Sequence, residues 1–192
     1  MESKNELYPI FLKVHQLQVL IVGGGYVGFE KLGFLLKSSP HAQVTVVSET
    51  FLEEVVELAN KHRVILFQTR YDPRHLANKQ IVIAATNVPE VNIQIYRDCK
   101  VENILVNVAD TPEYCDFYMG GIVTKGNLKI AISTNGKSPT MAKRIRQFLE
   151  DIIPEDINVL LDNLNRYRST LKGGFESKVQ EMNRMTEHFI NK

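Results

Sequence analysis

Little in this sequence offers metal or thiol chemistry. Only two cysteines occur, Cys99 and Cys115. Their spacing fits neither a metal site nor a redox pair, so they read as reduced thiols of a cytosolic protein. The five histidines are His15, His41, His62, His75 and His188. They form no i, i+4 pair and have no cysteine partner at ligand spacing, so each is expected on the surface or in a turn and no metal site is predicted. No apolar run approaches the roughly 20 residues needed to span a bilayer. The first six residues lack the apolar core of a signal peptide, which makes the cytoplasm the expected compartment. Charge is nearly balanced, with 23 basic and 22 acidic residues and a net charge of +1. That balance argues against a general nucleic-acid binder. Internal repeats and low-complexity tracts are also missing.

What remains is a chain of 192 residues, 44% of them hydrophobic. It can build one full domain and a smaller one. Strand-like and helix-like segments alternate over the first part. Strands are expected at 18–22, 43–47, 64–67, 80–85 and 104–108. Helices are expected at 26–37, at 51–61 with Thr50 as N-cap, and at 89–100. The 80–85 run is continuous and apolar, as in a strand buried on both faces. This alternation predicts an α/β fold, an N-terminal Rossmann domain with a parallel sheet and crossovers on both faces.

The pattern changes after Asp110. Segments 117–124 and 128–133 are strand-like and joined by Lys125-Gly126-Asn127, a hairpin signal. Ser138 as N-cap and Pro139 at the first helical position start a helix through about residue 151. A further helical stretch opens at Pro154 and breaks at Gly173-Gly174. The expected division is 1–112 for the Rossmann domain, 113–153 for a dimerisation and substrate region, and 154–192 for a helical C-terminal domain.

The segment Val22-Gly23-Gly24-Gly25-Tyr26-Val27-Gly28 holds G-x-G-x-x-G at Gly23, Gly25 and Gly28, with a strand before it and a helix after it. Such glycines permit a tight turn, close approach to a pyrophosphate, and close packing of helix on strand. The helix N-terminus presents unpaired N–H groups to the phosphates. A ribose-binding acid belongs at the end of the second strand, where Glu49 stands. Glu49 would accept from a ribose hydroxyl and repel a 2′-phosphate, which favours NAD over NADP; it also suits the first turn of a helix as a dipole-compensating acid. Thr86 and Asn87 follow the fourth strand at the edge where a dinucleotide lies. Asp110 follows the fifth strand at the same edge. A carboxylate there would take a proton, or it would simply shape the Asp-Thr-Pro turn.

Five segments occur in a telling order: Tyr8-Pro9-Ile10-Phe11-Leu12; the triple glycine with Lys31; Ala84-Ala85-Thr86; Asn107-Val108-Ala109-Asp110; and Ser133-Thr134-Asn135-Gly136-Lys137-Ser138-Pro139. Over about residues 7–153 the chain resembles the precorrin-2 dehydrogenase and sirohydrochlorin ferrochelatase family, the N-terminal part of siroheme synthase. The resemblance implies NAD-dependent oxidation of precorrin-2 to sirohydrochlorin; some members also insert ferrous iron. It implies a Rossmann domain, a central dimerisation region with swapped elements, and a helical C-terminal domain. Tyr26, Val27, Glu49 and Thr50 then fall at NAD contacts. Asp110 matches the family's essential aspartate, and Ser138 a substrate-region serine that is phosphorylated in some relatives.

Three positions depart from the family pattern. Gly28 replaces an alanine, a change expected to be harmless for the turn. Glu30 replaces an arginine, and Tyr118-Met119-Gly120-Gly121 replaces a proline-containing stretch. A polycarboxylate tetrapyrrole calls for local positive charge, and Lys137, Lys143, Arg144 and Arg146 cluster at the start of one helix beside Ser138. The apolar faces beyond the Rossmann unit predict a homodimer. Two other readings stay open: another NAD-dependent oxidoreductase on the same fold, and a nucleotide-sensing regulatory module.

Overall fold

A computed structural model of the chain describes residues 5–187. The chain divides into two compact units, one of residues 1–119 with 135–137 and one of residues 120–134 with 138–192.

The first unit is a five-stranded parallel sheet ordered β3-β2-β1-β4-β5. Its strands are β1 (Gln18–Val22), β2 (Gln43–Ser48), β3 (Ile65–Gln68), β4 (Ile81–Ala84) and β5 (Leu105–Val108). Its helices are α1 (Tyr26–Ser38), α2 (Glu53–His62) and α3 (Pro89–Val101). The order reverses between β1 and β4, which opens a crevice at their carboxyl ends. Two apolar clusters cover the two faces. Val19, Ile21, Val44, Val46 and Ile83 pack with Leu32 and Leu36 of α1 and Val55 of α2. Leu20, Val22, Val47, Val82 and Val106 pack with Ile95 and Cys99 of α3. Strands buried on both faces explain why β1 and β4 read as unbroken apolar runs.

Two expected boundaries are wrong for identifiable reasons. Thr50 does not cap α2. Leu52 is the N-cap residue and makes no side-chain cap bond. The Leu52 N–H donates to the Gly24 carbonyl (2.9 Å), so residues 50–52 stay out of the helix against the glycine turn and the helix starts at Glu53. Residues 117–120 are likewise not strand. The buried Asn107 side chain donates from Nδ2 to the Phe117 carbonyl (2.8 Å), and Phe117 and Met119 pack on the sheet core as loop residues.

The second unit holds β6 (Gly121–Lys125) and β7 (Leu128–Ile132), an antiparallel hairpin, and helices α4 (Pro139–Ile152), α5 (Ile157–Thr170) and α6 (Phe175–Thr186). Lys125 pairs with Leu128 across a turn in which Gly126 has φ +55°. Ser138 caps α4 as expected, its Oγ accepting from the Met141 N–H (3.2 Å). Asn158 of α5 accepts from the Asn127 N–H (2.9 Å) and Lys125 pairs with Glu155, so the hairpin turn is tied to the start of α5.

Candidate active site

At the carboxyl edge of the sheet a cleft of about 760 Å³ opens beside the glycine turn. Each expected cofactor residue lines it: Gly23, Gly24, Gly25, Tyr26, Val27, Glu49, Thr50, Thr86 and Asn87. So do Arg70, Tyr71, Val91 and Gln94, which sequence reasoning had not singled out.

The turn is built by close backbone approach. Gly23 has φ +122°, and a Cβ there would lie 2.3 Å from the Ala85 carbonyl oxygen. A side chain at that position is excluded on both grounds. At Gly28 a Cβ would meet the Gly23 carbonyl oxygen at 2.0 Å, so the missing side chain gives the turn room and an alanine restored in this chain would have to shift it. Gly25 is different: nothing in the protein lies within 4 Å of a Cβ built on it, and its φ of −86° suits any residue. The open space faces the N-terminus of α1, where free N–H groups gather. No intramolecular packing requires glycine there, whereas a pyrophosphate resting on the helix start does. The residues present therefore fit a dinucleotide.

On the β2 side, parallel register aligns Ser48 with Gln68, and the Thr69 N–H donates to the Ser48 carbonyl (3.0 Å). The residues after both strands thus emerge side by side. Arg70 Nε donates to Glu49 Oε1 at 2.8 Å, and this pair raises the guanidinium pKa through the hydrogen bond and the charge of Glu49. Tyr71 donates to Asp98 (3.0 Å); burial, then this carboxylate, push its phenol well above the ordinary range, so it stays protonated.

On the β4 side, Asn92 of α3 is buried and locks Thr86. Its Oδ1 accepts from the Thr86 hydroxyl (2.7 Å) and N–H (3.2 Å), and its Nδ2 donates to the Thr86 carbonyl (3.0 Å). The Thr86 hydroxyl is thereby committed to shaping the loop. Asn92 was not foreseen, although it sits at i+6 from Thr86 where the next helix begins.

Asp110 is exposed, with φ +58°, an αL conformation that aspartate tolerates better than most residues. The Ala109 N–H donates to the Ala84 carbonyl (2.9 Å), the last ladder bond, so Asp110 stands just past the carboxyl edge. It is not among the cleft-lining residues. The loop behind it is pinned by Asn107 and by Asp116, which accepts from the Val106 N–H (3.0 Å) and from Lys100 (2.5 Å). Cys115 donates to the Val108 and Thr111 carbonyls at 3.2 and 3.4 Å. Both cysteines are free; burial pushes Cys99 up to about 12 and raises Cys115, which leaves them poor nucleophiles.

Lys137 is exposed, as are Lys143 and Arg144 in the first turns of α4. Arg144 donates to Gln147 (3.0 Å), and Arg146 is half-buried and bonded to Glu150 at 2.5 Å, so its charge is already met within the helix. His75 serves as a cap: its Nδ1 accepts from the Asp72 N–H (3.0 Å). His188 lies outside the described residues. Among the described residues, no three His, Cys, Asp or Glu side chains are grouped to hold a metal ion. No described helix is long and apolar enough to cross a membrane.

Comparison with known proteins agrees with this geometry. Residues 10–121 match the family described as putative NAD(P)-binding. The chain belongs to that NAD(P)-binding family. Residues 125–152 match the central segment of sirohaem biosynthesis proteins. The siroheme synthase of Pseudoalteromonas translucida is 39% identical over 173 residues, 90% of this chain and 34% of that protein. That of Pseudoalteromonas atlantica is 36% identical over 90% of this chain and 37% of its own length. The chain thus spans about a third of the curated relatives it matches. A solved precorrin-2 dehydrogenase superposes with a TM-score of 0.72 at 26% identity, covering 93% of this chain and 89% of that one. The family resemblance read from the ordered motifs is borne out, as are the Rossmann architecture and the dinucleotide cofactor.

Proposed function

We propose that this chain is an NAD-dependent dehydrogenase that converts precorrin-2 to sirohydrochlorin in siroheme biosynthesis. The observation that carries the reading is the open space at Gly25 before α1, in a cleft at the switch point of the sheet. The likeness to a precorrin-2 dehydrogenase over nearly the whole chain supports the substrate.

NAD, when bound, supplies the hydride acceptor. The chain supplies the cradle at Gly23 to Gly25, with Tyr26 and Val27 at the helix start and Glu49 and Thr50 beside the adenosine ribose. Thr86 and Asn87 border the nicotinamide side. Asp110 takes the proton lost from the substrate, or fixes a pyrrole N–H; its exposure keeps the carboxylate accessible. Lys137, Lys143 and Arg144, with the capped helix start at Ser138, meet substrate carboxylates. Arg146 contributes less, because Glu150 already pairs with it. We assign residues 1–112 to cofactor binding, 113–153 to substrate and dimerisation, and 154–192 to the helical end, in a cytoplasmic homodimer. Iron insertion is a second activity consistent with this reading, with the metal as substrate and held mainly by the macrocycle.

The test is absorbance. Mixed with NAD and precorrin-2, the protein is expected to produce sirohydrochlorin and NADH together. NAD binding without that spectral change favours the sensor reading instead. Asp110→Ala is expected to cut turnover about a hundredfold or more while NAD still binds; near-normal turnover removes Asp110 from the chemistry. Sirohydrochlorin with Fe²⁺ or Co²⁺, with and without NAD, tests chelation separately.

A further inference from the structure

Glu49 and Arg70 share the wall of the cleft at its β2–β3 end, the side that receives the adenosine half of a dinucleotide. Their side chains are 62% and 84% exposed. An ion pair that open contributes little to stability, so the fold gives no reason to keep it. Its position gives one. A carboxylate there accepts from both hydroxyls of an unmodified ribose, whereas a guanidinium there is the group that receives a ribose 2′-phosphate. This chain carries both, and the single Arg70–Glu49 bond leaves the guanidinium with further donors unspent. The hydroxyl residues Ser48 and Thr69 line the same wall.

We propose that Arg70 is a latent 2′-phosphate ligand, and that its ion pair with Glu49 sets this chain's preference for NAD over NADP. Glu49 both repels the extra phosphate and neutralises the cation that would receive it. Removing one carboxylate charge then converts the wall from NAD-selective to NADP-accepting with no new residue supplied. The inference rests on the cofactor reading of the cleft, and it concerns only the adenosine end.

Binding tests it without turnover. NADH and NADPH are titrated by the fluorescence of their nicotinamide ring, with AMP and adenosine 2′,5′-bisphosphate as competitors that report the adenosine end alone. The wild type is expected to prefer NADH. Glu49→Gln should raise NADPH affinity about tenfold, the worth of one charge-assisted hydrogen bond, with a parallel gain for the bisphosphate over AMP. In Glu49→Gln/Arg70→Met that gain should vanish. Unchanged NADPH affinity in Glu49→Gln, or a gain that survives loss of Arg70, overturns the inference while leaving NAD binding intact. A wild type that binds neither dinucleotide overturns the cofactor reading and this inference with it.

Discussion

The two units are stabilised in different ways. The Rossmann unit encloses apolar clusters on both faces of its sheet, with Leu20, Ile21, Leu32, Ile83 and Ile95 essentially inaccessible. In the second unit, Val123 and Ala142 are the buried apolar residues among those described, and α5 and α6 have none. Instead Met141, Ile145, Phe148 and Ile152 form an exposed stripe along α4 at helical spacing. A helix face of that kind is stable in water only when something covers it. The first unit carries its own core; the second is organised as half of one, in keeping with the homodimer we propose.

Substitution of large side chains should separate the two units most strongly. Ile83→Ala in the sheet is expected to cost about 2–5 kcal/mol of stability, transfer plus cavity, read as a shift in chemical denaturation midpoint. Phe148→Ala on the α4 stripe should leave the isolated chain within about 0.5 kcal/mol. Phe148→Asp should instead change the assembly, turning a sedimenting dimer into a monomer at micromolar concentration. A wild type that is already monomeric there removes the second copy as the cover.

Gly28→Ala is expected to cost about 1–3 kcal/mol, as an overpacked contact does, because the new methyl would press on the Gly23 carbonyl. The loss should appear both in thermal midpoint and in NADH affinity, since the displaced carbonyl belongs to the cofactor turn. An unchanged affinity would mean that α1 can slide outward without moving the glycines, and that the first unit is less tightly specified than its core implies.

Much of the first unit was legible because its signals are local. β1 was placed to the residue by an apolar run ending in glycine, and Ser138-Pro139 announced α4. The misplaced features depend on contacts far apart in sequence. Thr50 has the composition of a cap, yet Leu52 is bonded back to Gly24 across the cleft rim, which delays the helix. The tight space at Gly28 likewise comes from the Gly23 carbonyl, which local sequence does not place. Glu49 was legible as a cleft residue from its place after β2. Arg70 was not, because its relation to Glu49 depends on β3 lying beside β2 in parallel register. Asn92 and Asn107 were missed as clamps for the same reason: an asparagine is polar in sequence and becomes structural only when burial leaves its amide no solvent to bond.

Acid should distinguish the units by the smallest margin. In the second unit Glu181 accepts from the Tyr167 hydroxyl (3.0 Å) and pairs with Arg184 (2.7 Å), which joins α5 to α6. Arg184 first, then Tyr167, hold its carboxyl below the usual glutamate range. A depressed native pKa adds stability that is complete above the unfolded value, roughly pH 4, and is lost as pH falls through the native one. In the first unit the corresponding clip is local: Arg74, two residues along, holds Asp72 at about 2. Both carboxyls keep partial access to solvent, so each effect is screened and small. Because Glu181 joins two helices that bury little else, its protonation should loosen α6 before the sheet responds. Helical circular dichroism followed from pH 6 to pH 3 should therefore show an early, partial loss in the wild type. In Glu181→Gln part of that loss should be present already at pH 6, and the two proteins should converge below pH 4. Parallel curves at every pH would mean that α6 is held by its apolar contacts and not by the charge.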